Sequence, residues 1–326
     1  MMDSLEETAL CFPHLLNTSC RTATHSYFVS LLAYIGLSCI SLLTVTLNLL
    51  VIISISHFRQ LHTPTNLLLL SLAVSDFFIG FLMLIQIMLI NGCWLLGDLM
   101  CSLYYVVDWI ITSTSIGNMV LISIDRYVAI CYPLHYSNKV TEKRVQVCIC
   151  ACWTCSALSN SFLLRDNLEH PGKYNSCYGE CVVVIDYVAG VFDLFLSFIG
   201  PITLIMGLYL RVFMEALSQA RAVRSHVVAV SPQGSISVTA KSFELKAART
   251  LGVVILVFLI CLCPFFCFSV TGQNTSSSAF VICLFYFNSC LNPVIYAFCY
   301  PWFRKSVKCI FTLKILQPDS CEAKVT

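Results

Sequence analysis

The chain has 326 residues, 58% hydrophobic and 11% charged, with a net charge of +2 and a mean hydropathy of +0.83. A soluble domain carries about 25% charged residues, so this composition excludes an ordinary globular protein and makes the bilayer the expected solvent. The small net charge says little by itself; its distribution along the chain says more.

The N-terminal segment, 1–26, is expected outside the cell. It lacks the basic-then-apolar pattern of a cleaved signal, so the first span is expected to serve as the insertion signal. Asn17-Thr18-Ser19 in it is an N-glycosylation acceptor. A spanning helix needs about 20 mostly apolar residues. Windows of that kind recur at 28–56, 65–91, 100–124, 145–164, 183–210, 250–271 and 279–299. They predict an all-α membrane protein, a seven-transmembrane helix bundle over 27–300, with no room for a second soluble domain. Barrel strands fit poorly, because they are short and alternate lipid-facing with lumen-facing residues. No internal repeat is visible, which argues against a transporter built from duplicated halves.

The fifth-to-sixth connection, about 216–243, is the longest polar stretch and reads as a flexible basic cytoplasmic loop. Asn274-Thr275-Ser276 also fits a glycosylation acceptor, but in a very short loop close to the membrane. The last segment, 301–326, begins at Pro301. There Trp302, Phe303, Val307, Ile310 and Phe311 recur at helical spacing against Arg304, Lys305 and Lys308, as expected of an amphipathic helix on the inner leaflet. Cys309 on it, or Cys321 beyond it, is placed for palmitoylation.

With the N-terminus outside, Arg59, Lys139, Lys143, Arg144 and the basic residues of 211–249 and 304–324 fall on the cytoplasmic side. Only Arg21, Arg165 and Lys173 fall outside. This obeys the positive-inside rule. The outer side is acidic, with Asp98, Asp166, Glu169 and Glu180 among others, a sign that attracts cations. Most of the twenty cysteines lie inside expected helices as small packing residues. Cys11, Cys20, Cys93, Cys101, Cys177 and Cys181 lie on the oxidising face and are the plausible bridge partners.

A carboxylate at mid-membrane costs several kcal/mol unless it faces the bundle interior and finds a partner. Asp186 suits a helix end touching water; Asp76 and Asp108 do not, since apolar residues extend far on both sides. At about 1.5 Å per residue, Asp108 lies roughly 10 Å below Cys101, and Asp125 roughly 25 Å deeper, at the inner edge. Asp193 falls two turns below Asp186 on the same helix face, at a depth like that of Asp108. An outer cavity with two anions on different helices is the expectation.

Asn48, Asp76, Asp125-Arg126-Tyr127, Trp153, Pro201, Pro264 and Asn292-Pro293-Val294-Ile295-Tyr296 appear in order, one set per helix. The chain thereby resembles the rhodopsin-type G-protein-coupled receptors over nearly its whole length. Asn288-Ser289, Asn292-Pro293, Tyr296, Tyr300 and Trp302-Phe303 narrow the resemblance to the trace amine-associated receptors. The resemblance implies that Asp108 binds a ligand ammonium and that Tyr286 hydrogen-bonds Asp108. It also implies a Cys101–Cys181 disulfide and a second one tying the N-terminus to the same loop. That second bridge pairs Cys20 with Cys177, with Cys11 as the competing partner.

A second carboxylate at Asp193, where catechol receptors usually carry hydroxyls, asks for a second positive charge. A five-carbon diamine spans roughly 7–8 Å between nitrogens, a reach suited to acids on facing helices. Fish receptors for diamines such as cadaverine and putrescine are the nearest analogy. The bland reading is that Asp193 binds water or a neighbouring Ser or Thr. Trp109, Phe265, Phe266 and Tyr286 are expected to wall the pocket, each equally compatible with plain packing, and Thr112 joins the binding set.

The resemblance further implies a cytoplasmic switch in which Arg126 pairs with Asp125 and Glu244, and Tyr209 and Tyr296 hold the active form. Asp76, Ser115, Asn288, Ser289 and Asn292 look like the family's sodium pocket. Where the sixth helix usually reads Cys-Trp-x-Pro, this chain has Cys261-Leu262-Cys263-Pro264, so activation is expected to run through Phe258, Ile116 and Pro201. The implied partners are a small-molecule amine, a heterotrimeric G protein of the stimulatory type and membrane lipids, with no nucleic acid. Plasma membrane of sensory neuron cilia is the implied location. The alternatives are a monoamine or histamine receptor and an amine transporter. An enzyme is not expected, because His14, His25, His57, His62, His135, His170 and His226 all lie outside the spans and form no catalytic or metal cluster.

Overall fold

The computed structural model describes residues 10–15, 17–22, 27–90, 92–227, 253, 256–267, 279–317 and 320–322. Helix α1 (Tyr27–His57) leads through a 3-10 turn at Arg59–Leu61 into α2 (Pro64–Ile90). Thr63 Oγ1 accepts the backbone N–H of Asn66 at 3.3 Å, and Pro64 occupies the first helical position, where its missing N–H costs nothing. Helix α3 (Asp98–Cys131) follows Gly97, whose φ of 83° only glycine adopts freely. Short α4 (Pro133–Lys139) leads to α5 (Glu142–Leu163) and to α6 (Arg165–Glu169).

The fifth span is one rod in three pieces: α7 (Tyr187–Leu194), a π turn at Phe195–Ile199, and α8 (Gly200–Val227). Pro201 has no N–H to give the carbonyl of Ser197 and its ring crowds that carbonyl, so the chain widens just before it. Helix α9 (Leu256–Cys267) falls in the sixth expected window. Helix α10 (Ala279–Cys299) carries Pro293 inside it and precedes α11 (Pro301–Phe311). Six helices are long and apolar enough to cross a membrane, with α9 as a shorter apolar one. The seven-helix bundle is thus as the composition predicts. In α11, Trp302 and Phe303 are buried and Arg304, Lys305 and Lys308 exposed, the expected amphipathic split.

Several expectations need correction. Asp186 is not on the fifth helix above Asp193. It is the N-cap, accepting the N–H groups of Val188 and Ala189 at 3.1 and 3.4 Å. The helix continues through Val227, where a loop from 216 is expected; the rest of that connection lies outside the described residues. Helix α3 runs past Ile124 to Cys131 because Asp125 finds partners there, which an apolar window does not register.

The lower core packs Phe58, Leu72, Met119, Ile205, Phe258 and Phe303 together, and the upper core Leu37, Met83, Trp94, Tyr104 and Tyr286. Polar side chains stitch the helices where hydrocarbon offers no alternative partner. Asn48 Nδ2 donates to the carbonyls of Thr44 and Ser289 at 2.9 and 3.0 Å, tying α1 to α10. Trp153 Nε1 donates to Ser71 Oγ at 3.1 Å, tying α5 to α2.

At the α3 N-terminal end, three disulfides among the described residues gather the loops: Cys101–Cys181, Cys20–Cys177 and Cys11–Cys93. Cys11 therefore does not compete for Cys177, and Cys93 is its partner. Isolated bridges join Leu10 to Arg21 and Ser19 to Tyr178, and Trp94 N donates to the Gly179 carbonyl at 2.7 Å. Asn17 is exposed in this strap. In the connection between α5 and α7, the hydrogen bond from Lys173 at 2.9 Å, helped by Tyr174, holds the Asp166 carboxyl below its ordinary range.

Candidate functional site

Asp108 sits half-buried on α3, four residues below Tyr104 and seven below the Cys101 bridge. The Tyr286 hydroxyl on α10 donates to Asp108 Oδ1 at 3.3 Å. Tyr104 donates to Gln86 Oε1 at 2.7 Å and lies 5.7 Å from the Trp94 ring, so a polar and aromatic ceiling closes the α2 side. The carboxylate's other oxygen has no hydrogen-bond partner among the described residues, and no Lys or Arg pairs with it there. A buried acid with one neutral donor and no cation is an acceptor for an incoming one.

A run of rings crosses from the fifth rod to α10. Phe198 stacks on Phe266 at 4.1 Å and 18°, Phe266 meets Phe265 edge-on at 5.5 Å, Phe265 meets Phe285 at 4.5 Å, and Phe285 meets Tyr286 at 5.4 Å. Of the expected wall, Phe265, Phe266 and Tyr286 are brought together. Trp109 is half-buried and forms no ring pair with this wall among the described residues. Phe198 and Phe285 are the members that sequence reasoning missed. Phe198 lies in the π turn, where a count at 3.6 residues per turn loses the helix face.

Asp193, half-buried on α7, accepts a hydrogen bond from Ser197 Oγ at 2.8 Å on one oxygen. The neighbouring-serine reading therefore has a contact behind it. The bond uses part of the carboxylate's acceptor capacity, and the second oxygen has no partner among the described residues.

Below this level lies a small cavity of about 20 Å³, lined by Thr112, Ser115, Ile116, Phe258, Leu262, Tyr286 and Asn288 among others. Beneath it, fully buried Asp76 accepts from Ser115 Oγ at 3.0 Å and Asn292 Nδ2 at 2.8 Å. Ser289 also hydrogen-bonds the Asp76 carboxyl, and both Ser289 and Asn288 border the cavity. Asn288 Oδ1 and Asn292 Oδ1 are buried without hydrogen-bond partners among the described residues. The set is thus oxygen-rich with two unused acceptors, which fits a hard cation.

At the inner end, Asp125 is nearly fully buried and holds three neighbours. Arg126 Nε donates to Oδ2 at 2.9 Å, Thr65 Oγ1 to Oδ2 at 2.9 Å, and Tyr136 OH to Oδ1 at 2.8 Å. Thr65 and Tyr136 come from α2 and α4 and are not legible from the Asp125-Arg126-Tyr127 triplet. Glu244, the second expected partner of Arg126, lies outside the described residues. Tyr127 is half-buried at the α3 end, with its ring 5.8 Å from Tyr132. Ile116, Phe258 and Tyr296 are buried in the lower core, and Tyr209 packs half-buried against it. Pro201 sits just below the π turn.

The family described as "7 transmembrane receptor (rhodopsin family)" matches residues 47–296. The chain is 34% identical to Trace amine-associated receptor 13c of Danio rerio over 330 residues, covering 97% of this chain and 96% of that protein. It is 37% identical to Trace amine-associated receptor 1 of Mus musculus, covering 95% and 98% respectively. Against the Homo sapiens receptor of the same name it is 36% identical, covering 96% of both chains.

Proposed function

The chain belongs to the rhodopsin family of seven-transmembrane receptors and, within it, to the trace amine-associated receptors, and from that premise we propose that it responds to diamines held between Asp108 and Asp193. Membership makes it an amine-sensing receptor of the plasma membrane, with a small-molecule ligand and a G protein as partners, and not an enzyme. The carrying observation for the finer reading is the second carboxylate. Among the described residues the second Asp193 oxygen has no partner after the bond to Ser197, and an ammonium there gains a full ion pair that a neutral ligand end does not.

In this reading one ammonium binds Asp108 and Tyr286, and the carbon chain lies against Phe265, Phe266 and neighbouring rings, with cation–π attraction assisting. Binding favours the state in which the Asp125–Arg126 pair opens, a population shift rather than a rigid trigger. A stimulatory G protein, olfactory use and sensory cilia belong to the same proposal. Asp76, Ser115, Asn288, Ser289 and Asn292 are the residues that would hold sodium, and such an ion would supply positive charge next to Asp76.

The experiment is cyclic AMP production in transfected cells exposed to cadaverine, putrescine and butylamine, before and after Asp193→Ala, with surface expression measured. The diamine potencies should fall about tenfold or more while butylamine holds. Equal behaviour of mono- and diamines in both receptors would sink the diamine reading. It would favour the second one, a monoamine receptor in which Ser197 already occupies Asp193, for which that 2.8 Å bond is the supporting observation.

A further inference from the structure

The cavity below Asp108 is bordered by three of the residues that would hold sodium, Ser115, Asn288 and Ser289, and also by Thr112, which has no part in that ion site. Thr112 Oγ1 and Asn288 Oδ1 border it, and both are buried without a hydrogen-bond partner among the described residues. Asn288 is only 5% exposed. A buried polar atom left unpaired costs about 1–3 kcal/mol, so two such atoms on one void indicate a missing occupant. About 20 Å³ is room for one group of the size of a water. Leu262 on α9 and Phe258 one turn earlier close the far side.

Position supplies the link to the amine site. Tyr286 is shared: its hydroxyl binds Asp108 and its ring lines the cavity. Thr112 follows Asp108 by one helical turn, about 6 Å along α3. An ammonium on Asp108 and a donor group four carbons away are separated by roughly the same distance.

We propose that this cavity is a deep subsite of the amine site, which takes a single hydrogen-bond-donating group, a hydroxyl or a second amino group, at the far end of a ligand about four carbons long. Thr112 Oγ1 and Asn288 Oδ1 receive that donor, and the modest size of Leu262 keeps the space open. The subsite rests on Asp108 as the ammonium anchor but not on Asp193. A hydroxyl can also donate to the Asp193 carboxylate, as Ser197 does, so the two readings separate by variant: the hydroxyl advantage should survive Asp193→Ala.

The test uses the full receptor and four probes, ethylamine, butylamine, 4-amino-1-butanol and putrescine, read as cyclic AMP dose–response with surface expression measured. Wild type should respond to aminobutanol at about five- to tenfold lower concentration than to butylamine, which differs from it only in ending in a methyl group. Leu262→Trp, which fills the void, should abolish that advantage and leave ethylamine, too short to reach, within about twofold. Thr112→Val keeps the volume, removes the acceptor and should also reduce the advantage; it carries the test if the tryptophan variant does not reach the surface. No hydroxyl advantage in wild type, or one that survives both variants, overturns the proposal. A shift confined to sodium sensitivity, with the ligand ranking unchanged, would give the void to the ion site and overturn it too. An ethylamine response that survives Asp108→Ala would instead refute the amine anchor itself.

Discussion

Gly80 on α2 faces α1 so closely that a single methyl group is predicted to push the helices apart. A Cβ built there would lie 2.6 Å from Val45 Cγ2, 3.2 Å from Val45 N and 3.4 Å from the Ser41 carbonyl. Ordinary carbon–carbon contact is about 3.5–4.0 Å, so the first contact is short by roughly 1 Å. Val45 has little freedom to yield, because a β-branched side chain in a helix keeps one χ1 rotamer and backbone lies behind it. The same approach carries the Ser41 Oγ bond to the Gly80 carbonyl at 2.6 Å, which separation would stretch. Overpacking costs about 1–3 kcal/mol, and the better helix propensity of alanine returns up to about 1 kcal/mol. Gly80→Ala should therefore be destabilised by about 1–2 kcal/mol, or roughly 2–6 °C in Tm. Gly36, on α1 with nothing within 4 Å of its built Cβ, is the control, and Gly36→Ala should melt at or slightly above wild type. Thermal unfolding of the detergent-purified receptor, followed by tryptophan fluorescence, measures both. If the two variants melt together, the close α1–α2 approach is not what glycine is for.

Asp108→Asn removes the charge that an ammonium needs, a loss of about 1.5–3 kcal/mol, and should raise the EC50 for any amine roughly 10- to 150-fold. Tyr286→Phe removes only a 3.3 Å hydrogen bond and should cost about two- to fivefold in the same dose–response assay; equal losses in the two variants would contradict the anchor assignment. Asp125→Asn weakens the hold on Arg126 shared by Thr65 and Tyr136. A shift of about 1 kcal/mol changes the inactive–active ratio about fivefold, so ligand-independent cyclic AMP should rise by that order at equal surface expression, and unchanged basal signalling would refute the switch.

The legible part of the site consists of positions that local sequence marks strongly. A charged residue amid apolar ones, such as Asp76 or Asp108, stands out because hydrocarbon makes it expensive. Its partners do not stand out. Tyr136 on α4 and Thr65 on α2 look like ordinary loop and helix-end residues until α3 brings Asp125 against them. Ser197 is likewise one serine among many, and only the geometry of the rod puts its hydroxyl on Asp193. Pro201 did carry a signal, a residue that cannot complete a helical hydrogen bond. The signal announces a disturbance without saying that it would be a π turn or that Phe198 would face Phe266.

By itself the sequence determined the solvent, the seven-helix bundle and the presence of buried acids. All of these depend on transfer cost summed over short windows, which composition sets directly. Only the tertiary structure decided the pairings: Cys11 with Cys93 across 82 residues, Asn48 with the Ser289 carbonyl, and the void that Leu262 leaves between Asp108 and Asp76. Those depend on where separate helices and loops meet, and a contact or a cavity between distant segments leaves no periodic trace in either one.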